Sequence, residues 1–268
     1  MKTNVETVNA QASSKTGVMG SLETVLRRFK DVAFILALVP IAGLYWFCLS
    51  AALWPGVYIF STINELGHAL SPFLRVTCFA FGAGFSILSF MIVLLIVVPL
   101  VNWPIKFFVK PFRGGWYSLE AVPWYYHNAL TYLVRYTILN LITPSPLTIF
   151  FYRAMGMKIG KNVLLNTGNI SDPCLIEIAD YATVGGSVYL MAHYGMKGYL
   201  VVDRLKIHKA ANVGLHSYVM AAEIGEYATI LPNSTVLPKT NIPAHARFGR
   251  TDSIIEIKES AAQHVEKA

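Results

Sequence analysis

The stretch 207–249, IHKAANVGLHSYVMAAEIGEYATILPNSTVLPKTNIPAHARFG, decides the fold of this chain. Large apolar residues recur in it at a spacing of six with one step of five: Ile207, Val213, Val219, Ile224, Ile230, Val236, Ile242 and Phe248. Small residues stand four positions after most of them: Ala211, Ser217, Ala228, Ser234, Thr240 and Ala246. A period of six fits neither an α-helix nor a single β-strand, and it predicts a solenoid whose coil is a triangle of three short strands.

The same spacing extends towards the N-terminus of the chain. It is present at Ile178, Val184 and Leu190, and again at Ile159 and Leu165. These blocks amount to about four triangular coils, which can bury a continuous interior by stacking. The repeat domain is therefore predicted to cover residues 154–250.

The composition requires membrane segments as well as a solenoid. Hydrophobic residues make up 54% of the chain and charged residues 14%, whereas a soluble domain carries about 25% charged residues. Two charge-free runs, 32–53 and 76–105, are long enough to cross a bilayer, which takes about 20 residues. We expect a membrane domain at 22–115 with two transmembrane helices. Basic residues outside both runs predict that both ends face the cytosol, in a multi-pass protein of the inner (cytoplasmic) membrane.

The remaining segments carry weaker signals. Residues 1–21 are predicted to be a disordered tail, and residues 251–268 a charged C-terminal tail or helix. Residues 116–153 are predicted to form an interfacial helical connector, the alternative being a buried connector packed on the solenoid. The net charge of +7 comes from basic residues that flank apolar segments, so we expect the membrane as a partner and no nucleic acid.

The repeats resemble the hexapeptide-repeat acyltransferases, over roughly the last 110 residues counted by the hexapeptide period. The resemblance implies a left-handed parallel β-helix, so the expected fold class is a mixed one of N-terminal transmembrane α-helices followed by this solenoid. It also implies a homotrimer that binds acetyl-CoA or another acyl-CoA in a groove between subunits. The acyl group would pass to a hydroxyl or amine of an acceptor.

One insertion interrupts the repeats, between Leu190 and Ile207. Insertions leave a solenoid as loops on one face, where binding or catalysis is common. His193 lies in this loop, at the place where the antibiotic-acetylating members of the family present a histidine as general base. Gly195 and Gly198 would let the backbone come close to the substrate. The alternative is that His193 is a polar loop residue without a catalytic role.

Several other polar residues compete for a role. His208 and His216 are expected to point away from the core as surface residues. His127 could face a lipid-borne substrate, although an interfacial histidine is more often an anchor. Glu177 and Asp180 could orient a histidine. Because the histidines lack the spacing of metal ligands, we expect no metal.

The resemblance also implies contacts for the phosphates of acyl-CoA. The candidates on the later coils are Lys239, Arg247 and Arg250. Charge-assisted hydrogen bonds of this kind are strong. The alternative is that all three are solvated surface charges, which is the usual state of Lys and Arg.

A looser resemblance concerns the order of the parts. Membrane helices followed by hexapeptide-like repeats are similar to the membrane-attached C-terminal region of poly-lysine-synthetase-like peptide synthetases. Together these features predict a membrane-anchored acyltransferase, with acetyl as the expected group and an envelope, glycan or lipid-linked acceptor. The alternatives are a non-catalytic membrane scaffold and an amide-forming module associated with a peptide synthetase.

Overall fold

The structure is a computed structural model that describes residues 16–249. Three helices come first: α1 at Gly17–Arg28, α2 at Lys30–Gly67 and α3 at Pro72–Ile105. Helix α1 begins inside the segment predicted to be a disordered tail, and that prediction is wrong for residues 17–21. The physical reason is that Val18, Leu22 and Val25 recur at helical spacing. Residues 1–15 and the predicted tail or helix at 251–268 lie outside the described residues.

Two of these helices are long and apolar enough to cross a membrane. The candidate segments are Ala37–Gly67 and Pro72–Ile105, with mean hydropathies of 1.7 and 2.7. Trp46 and Trp54 on α2 are 74% and 69% exposed. An exposed aromatic surface of this kind suits lipid better than water. The first segment extends further along the chain than the run 32–53 that the sequence predicted.

Helices α2 and α3 pack through small residues. The Ser86 hydroxyl donates a 2.7 Å hydrogen bond to the Gly56 carbonyl of the facing helix. A Cβ atom placed on Gly56 would lie 2.8 Å from the Ser86 carbonyl oxygen. Glycine is therefore needed here for close approach of the two backbones, as is common between membrane helices.

Strand β1 at Phe112–Gly115 precedes the connector predicted at 116–153, and helix α4 at Ala121–Val134 and helix α5 at Pro146–Met155 form it. A π-helical turn, Arg135–Leu139, and a short helical turn, Asn140–Ile142, follow α4 directly. Helix α4 buries the polar residues His127, Asn128 and Thr131 together with apolar neighbours such as Trp124 and Leu130. This burial favours a connector packed on the solenoid over one that lies in the membrane interface.

The repeats form a parallel solenoid with three faces. The first face holds β2 (Lys158–Ile159), β5 (Ile176–Ile178), β10 (Leu205–Ile207), β13 (Glu223–Ile224) and β16 (Asn241–Ile242). The second face holds β3 (Leu164–Leu165), β6 (Thr183–Val184), β11 (Asn212–Val213), β14 (Thr229–Ile230) and β17 (Arg247–Phe248). The third face holds β4 (Ile170–Ser171), β7 (Tyr189–Met191), β12 (Tyr218–Met220) and β15 (Thr235–Val236).

The large residues of the repeat stack in register and build the core. Ile178, Ile207 and Ile224 follow one another on the first face, all nearly inaccessible to solvent. Most corners use a residue with positive φ, such as Asn233 at 57° and Lys239 at 63°. The predicted fold class, an N-terminal helical region followed by a hexapeptide-repeat left-handed parallel β-helix, is confirmed.

The insertion forms a hairpin. Strands β8 (His193–Met196) and β9 (Tyr199–Val202) pair antiparallel, and β1 extends the sheet on the far edge of β9. Lys197 and Gly198 form the two-residue turn, with φ of 52° and 80°. Positive φ at both positions is the type I′ geometry that matches the twist of a hairpin. Gly198 therefore serves the turn, and the predicted loop has regular structure.

Candidate active site

Asp172 lies at the corner where the chain turns from the third face to the first face of the next coil. We call this corner the insertion corner. Asp172 follows β4 directly and its φ is 60°. Asp is one of the few residues other than glycine that adopt this left-handed conformation readily. The residue is completely buried. The hairpin leaves the solenoid at the same corner, one coil further on.

The Asp172 carboxylate accepts four hydrogen bonds. Its Oδ1 accepts from Trp124 Nε1 and from Asn128 Nδ2, both at 2.6 Å. Its Oδ2 accepts from the Ala192 amide at 3.0 Å and lies 2.6 Å from His193 Nδ1. A buried carboxylate is stable only when its lone pairs are satisfied in this way.

These contacts keep Asp172 ionised. Burial alone would raise its pKa, but the hydrogen bonds from His193 and Asn128 outweigh burial and lower the pKa below the ordinary value. An ionised carboxylate can only accept hydrogen bonds. The proton between the two side chains therefore belongs to Nδ1 of His193, and in the neutral ring Nε2 has a free lone pair.

His193 is held in one orientation. It is the first residue of β8, and the exposed fraction of its side chain is 18%. Its ring meets the Trp124 ring edge-on, with 4.9 Å between centroids. A histidine oriented by a carboxylate and packed against an aromatic ring is the arrangement that a general base requires.

Helix α4 supplies the second layer of this site. Trp124 and Asn128 are one helical turn apart and both donate to Asp172. Between them, His127 points towards α3, where its Nδ1 lies 2.8 Å from Oδ1 of Asn102. The predicted role of His127 as an interfacial anchor is wrong, because this side chain is completely buried.

The buried His127 gives a prediction about pH and stability. Burial lowers the pKa of His127 to about 4, with Asp172 opposing this shift and Lys106 adding to it. The unfolded chain takes up this proton near pH 6.5, so stability is complete above about pH 6.5 and falls by about 3 kcal/mol as the pH drops to about 4. Urea unfolding of the purified protein across this range measures the loss.

The matched variant is His127→Gln, which keeps an amide hydrogen bond to Asn102 and cannot titrate. Its stability is expected to stay flat over the same range. Asp172 does not interfere, because its lowered pKa places its own loss of stability below about pH 4. Equal slopes for wild type and His127→Gln would show that the histidine is not buried in its neutral form.

The other candidates have different partners. Glu177 pairs with Lys158 at 3.3 Å, and Asp180 accepts the Lys161 amide at 2.6 Å. Within residues 16–249 of one chain neither carboxylate contacts a histidine, and their orienting a histidine of a neighbouring chain stays a prediction. His208 lies on the first face, 2.7 Å from Glu223. It is a surface residue in a local pair, as its position in the repeat predicts.

The candidates for the donor phosphates lie on two different surfaces. Lys239 is an exposed residue of the insertion corner. At this corner the Lys239 amide donates a hydrogen bond to the Ala221 carbonyl, and the Ala221 amide donates one to the Met191 carbonyl. Lys239 is therefore two coils further along the stack than the coil that carries His193, or about 10 Å away at the usual strand separation. Arg247 is exposed on the second face, and Arg250 lies outside the described residues.

The described residues offer neither a reactive thiol nor a metal site here. Burial, with a smaller effect of the nearby Asp172 charge, raises the pKa of the Cys174 thiol to about 12. This cysteine therefore stays protonated at neutral pH. Across residues 16–249, His, Cys, Asp and Glu form no group of three or more that could hold a metal ion.

Reasoning from the sequence did not find Asp172, Trp124 or Asn128. The inward residue after Leu165 is Ile170, which pairs with Leu190 after a step of five. The six-residue phase therefore breaks just before Asp172. The signal that was available is an Asp followed by Pro at the end of a strand, which is typical of a corner.

Comparisons with known proteins give distant matches. No protein-family model matches the sequence. The delta-poly-L-ornithine synthetase of Acinetobacter baumannii is 25% identical over 111 residues, or 41% of this chain and only 8% of the synthetase. Similar folds occur in a hexapeptide-repeat acetyltransferase of Vibrio cholerae and a serine acetyltransferase of Brucella abortus. The chain is similar to hexapeptide-repeat acetyltransferases.

This likeness is one of fold alone. The Vibrio structure has a TM-score of 0.33 and 18% identity, covering 36% of this chain and 59% of its own. The Brucella structure has a TM-score of 0.29 and 12% identity, covering 71% and 92%. A function must therefore be inferred from the side chains of the site, since one fold hosts many activities.

Proposed function

We propose that the protein is a membrane-anchored acyltransferase that moves an acyl group, with acetyl as the expected one, from acyl-CoA to a hydroxyl or amine. The observation that carries the proposal is the pair of His193 and the buried Asp172 at the base of the hairpin, with 2.6 Å between Nδ1 and Oδ2. Such a pair places an oriented base in an insertion of the solenoid.

The chemistry assigns one role to each member of the pair. Nε2 of His193 takes the proton of the acceptor hydroxyl or amine while that atom attacks the thioester carbonyl carbon. The tetrahedral intermediate then collapses, the carbon–sulfur bond breaks, and the imidazolium returns its proton to the leaving CoA sulfur. Asp172 stabilises the imidazolium and keeps Nδ1 protonated throughout.

The donor would lie along the insertion corner. Lys239, two coils above His193, supports this path because its ammonium group can meet a phosphate of CoA. Arg247 is on another face, so it would serve the site only from a neighbouring copy in a homotrimer. Arg250 stays a proposed phosphate contact outside the described residues. A groove between subunits would also supply the backbone donors that an oxyanion needs.

Lys239→Ala is expected to raise the KM for acetyl-CoA by about 3- to 10-fold, with little change in kcat, because one exposed charge contact is lost. Steady-state thiol release at varied acetyl-CoA measures both constants. The control is Lys209→Ala, which removes an exposed side chain of the solenoid that lies away from the insertion corner. An unchanged KM in Lys239→Ala would remove this residue from the donor site.

The two apolar helices support an anchor in the inner (cytoplasmic) membrane, with the β-helix domain facing the cytosol, where acyl-CoA is available. An enzyme tethered to the bilayer meets acceptors in the membrane at a high effective concentration. Envelope, glycan or lipid-linked acceptors therefore fit the anchored enzyme better than freely diffusing ones.

A second candidate is formation of an amide with an amino acid or peptide delivered by a carrier domain. The match to the delta-poly-L-ornithine synthetase favours it. The same histidine would then deprotonate an attacking amine. In this case the donor is a carrier-bound thioester, and free acyl-CoA would not be consumed.

The test follows radiolabelled acetyl from acetyl-CoA in detergent-purified protein incubated with cell-envelope extract. The expected result is label in an acceptor together with an equal amount of free thiol. Extraction into organic solvent then separates lipid-linked acceptors from soluble ones. A protein that neither binds acetyl-CoA nor releases thiol would support the scaffold or the carrier-dependent reaction.

A further inference from the structure

Arg135 is a buried cation near the candidate active site. It is the first residue of the π-helical turn after α4, and its exposed fraction is 7%. One guanidinium nitrogen, Nη2, donates a 2.7 Å hydrogen bond to Asn169 Oδ1. The buried Nε has no hydrogen-bond partner. Among residues 16–249, the ion pairs of the structure leave this guanidinium without a carboxylate.

Three tyrosine rings surround the guanidinium. The Arg135 Cζ atom lies 5.6 Å from the Tyr132 ring centre, 5.2 Å from that of Tyr136 and 5.7 Å from that of Tyr189. Ring faces attract a cation but do not neutralise its charge. Tyr136 is 71% exposed, so the cluster opens to the surrounding medium. A buried donor without a partner beside an opening is what a bound anion would complete.

The cluster lies on the same helical face as the residues that hold Asp172. Along α4 and its π turn, Asn128 donates to Asp172, Tyr132 contacts Ser171 at 2.9 Å, and Arg135 donates to Asn169. The helix therefore follows the segment that leads into the insertion corner. Arg135 is seven residues beyond Asn128, which corresponds to about 10 Å along a helix axis.

We propose that Arg135, with Tyr132, Tyr136 and Tyr189, binds the carboxylate or phosphate group of the acceptor. This inference rests on the proposed function and deepens it. The acceptor would carry its anionic group apart from the hydroxyl or amine that reaches His193, because Arg135 lies about 10 Å along the helix axis from Asn128, which donates to Asp172. Guanidinium groups suit both anions because their N–H groups match two oxygens at once. The anion could belong to a soluble molecule or to a lipid headgroup.

Binding of inorganic phosphate and of acetate tests this site without any need for turnover. The melting temperature of the purified full-length protein is followed at constant ionic strength, with chloride making up the balance. A saturable rise is expected for wild type. Arg135→Gln is expected to raise the dissociation constant by about 10- to 100-fold, the size of a lost charge-assisted contact.

The matched control is Arg113→Gln. Arg113 also sits over a tyrosine, 4.6 Å from the Tyr199 ring centre, but it is exposed. This variant should bind phosphate and acetate as wild type does. A wild type without a saturable response to either anion overturns the proposal. Such a result is expected if a carboxylate of a second copy occupies Arg135. An equal loss of anion binding in Arg135→Gln and Arg113→Gln also overturns the proposal.

A measurement on wild type alone covers the case in which Arg135→Gln fails to fold. Phenylglyoxal modifies accessible arginines, and peptide mass spectrometry separates Arg135 from Arg113. Phosphate is expected to slow modification at Arg135 and to leave Arg113 unchanged. Equal rates at Arg135 with and without phosphate would contradict the proposal.

Nanodiscs separate the two sources of the anion. Protection of Arg135 by phosphatidic acid discs but not by phosphatidylcholine discs identifies a lipid headgroup, whereas protection by free phosphate alone identifies a soluble acceptor. His193→Ala should keep anion binding. Anion binding without thiol release would therefore contradict only the proposed function, and thiol release without anion binding would contradict only this site.

Discussion

Replacing Asp172 with Asn is expected to lower the rate of acyl transfer by about 10²- to 10⁴-fold, as removal of a charge behind a catalytic histidine does elsewhere. The amide would keep its oxygen towards Trp124 and Asn128, which both donate. Its NH₂ group would then face His193 and donate to Nδ1. The imidazole proton would move to Nε2, and the base would lose its free lone pair.

Thiol release from acetyl-CoA with envelope acceptor measures this loss, and circular dichroism verifies that the variant is folded. Asp180→Asn is the matched control, because Asp180 also accepts a backbone amide of the solenoid and makes no contact with a histidine. Its activity should stay within a factor of about 2, the effect of an ordinary surface change. Equal activities of Asp172→Asn and wild type would show that Asp172 has no catalytic importance.

Ile230→Ala is expected to destabilise the solenoid by about 2 to 5 kcal/mol, the usual cost of emptying a well-packed core position. Ile230 is fully buried on the second face, between Val213 of the coil before it and Phe248 of the coil after it. Neighbouring coils are in contact along the whole stack, so little collapse around the cavity is possible.

Urea unfolding in detergent, followed by circular dichroism, gives the change in free energy. Thr235→Ala is the control, since Thr235 is an exposed residue of the third face and should change stability by no more than about 0.5 kcal/mol. A loss for Ile230→Ala as small as that of the control would mean that the repeat residues do not form the core that this account gives them.

The solenoid could be predicted from the sequence because each inward position repeats the same requirement. Val213, Val219 and Ile224 fill the same kind of site on successive faces, and a short period exposes that regularity. The step of five between Val219 and Ile224 falls at the insertion corner, where Ala221 makes the turn with a φ of 39°. An irregular step of this kind marks a corner whose turn is one residue shorter.

The site could be predicted only in part. His193 stood out because it lies in the one long interruption of the repeats. Asp172 lies a coil earlier, and Trp124 and Asn128 lie on a helix far from both in sequence. Contacts between such distant segments depend on how α4 packs against the third face, and no local spacing encodes that packing.

The connector shows the same limit from the opposite direction. Tyr, Trp and Leu residues around His127 have the composition of a membrane-interface helix. In the structure this helix is enclosed between α3 and the solenoid, and its buried polar residues hold Asn102 on one side and Asp172 on the other. Composition alone does not distinguish an aromatic helix in lipid from one inside a protein.

The most direct test of the account is single-turnover release of free thiol from acetyl-CoA by wild type, His193→Ala and His208→Ala in the presence of envelope acceptor. The account predicts that His193→Ala releases thiol at least about 100-fold more slowly than wild type, the low end for a lost general base. His208→Ala, which breaks only the surface pair with Glu223, should match wild type. Wild-type rates in His193→Ala would contradict the central claim.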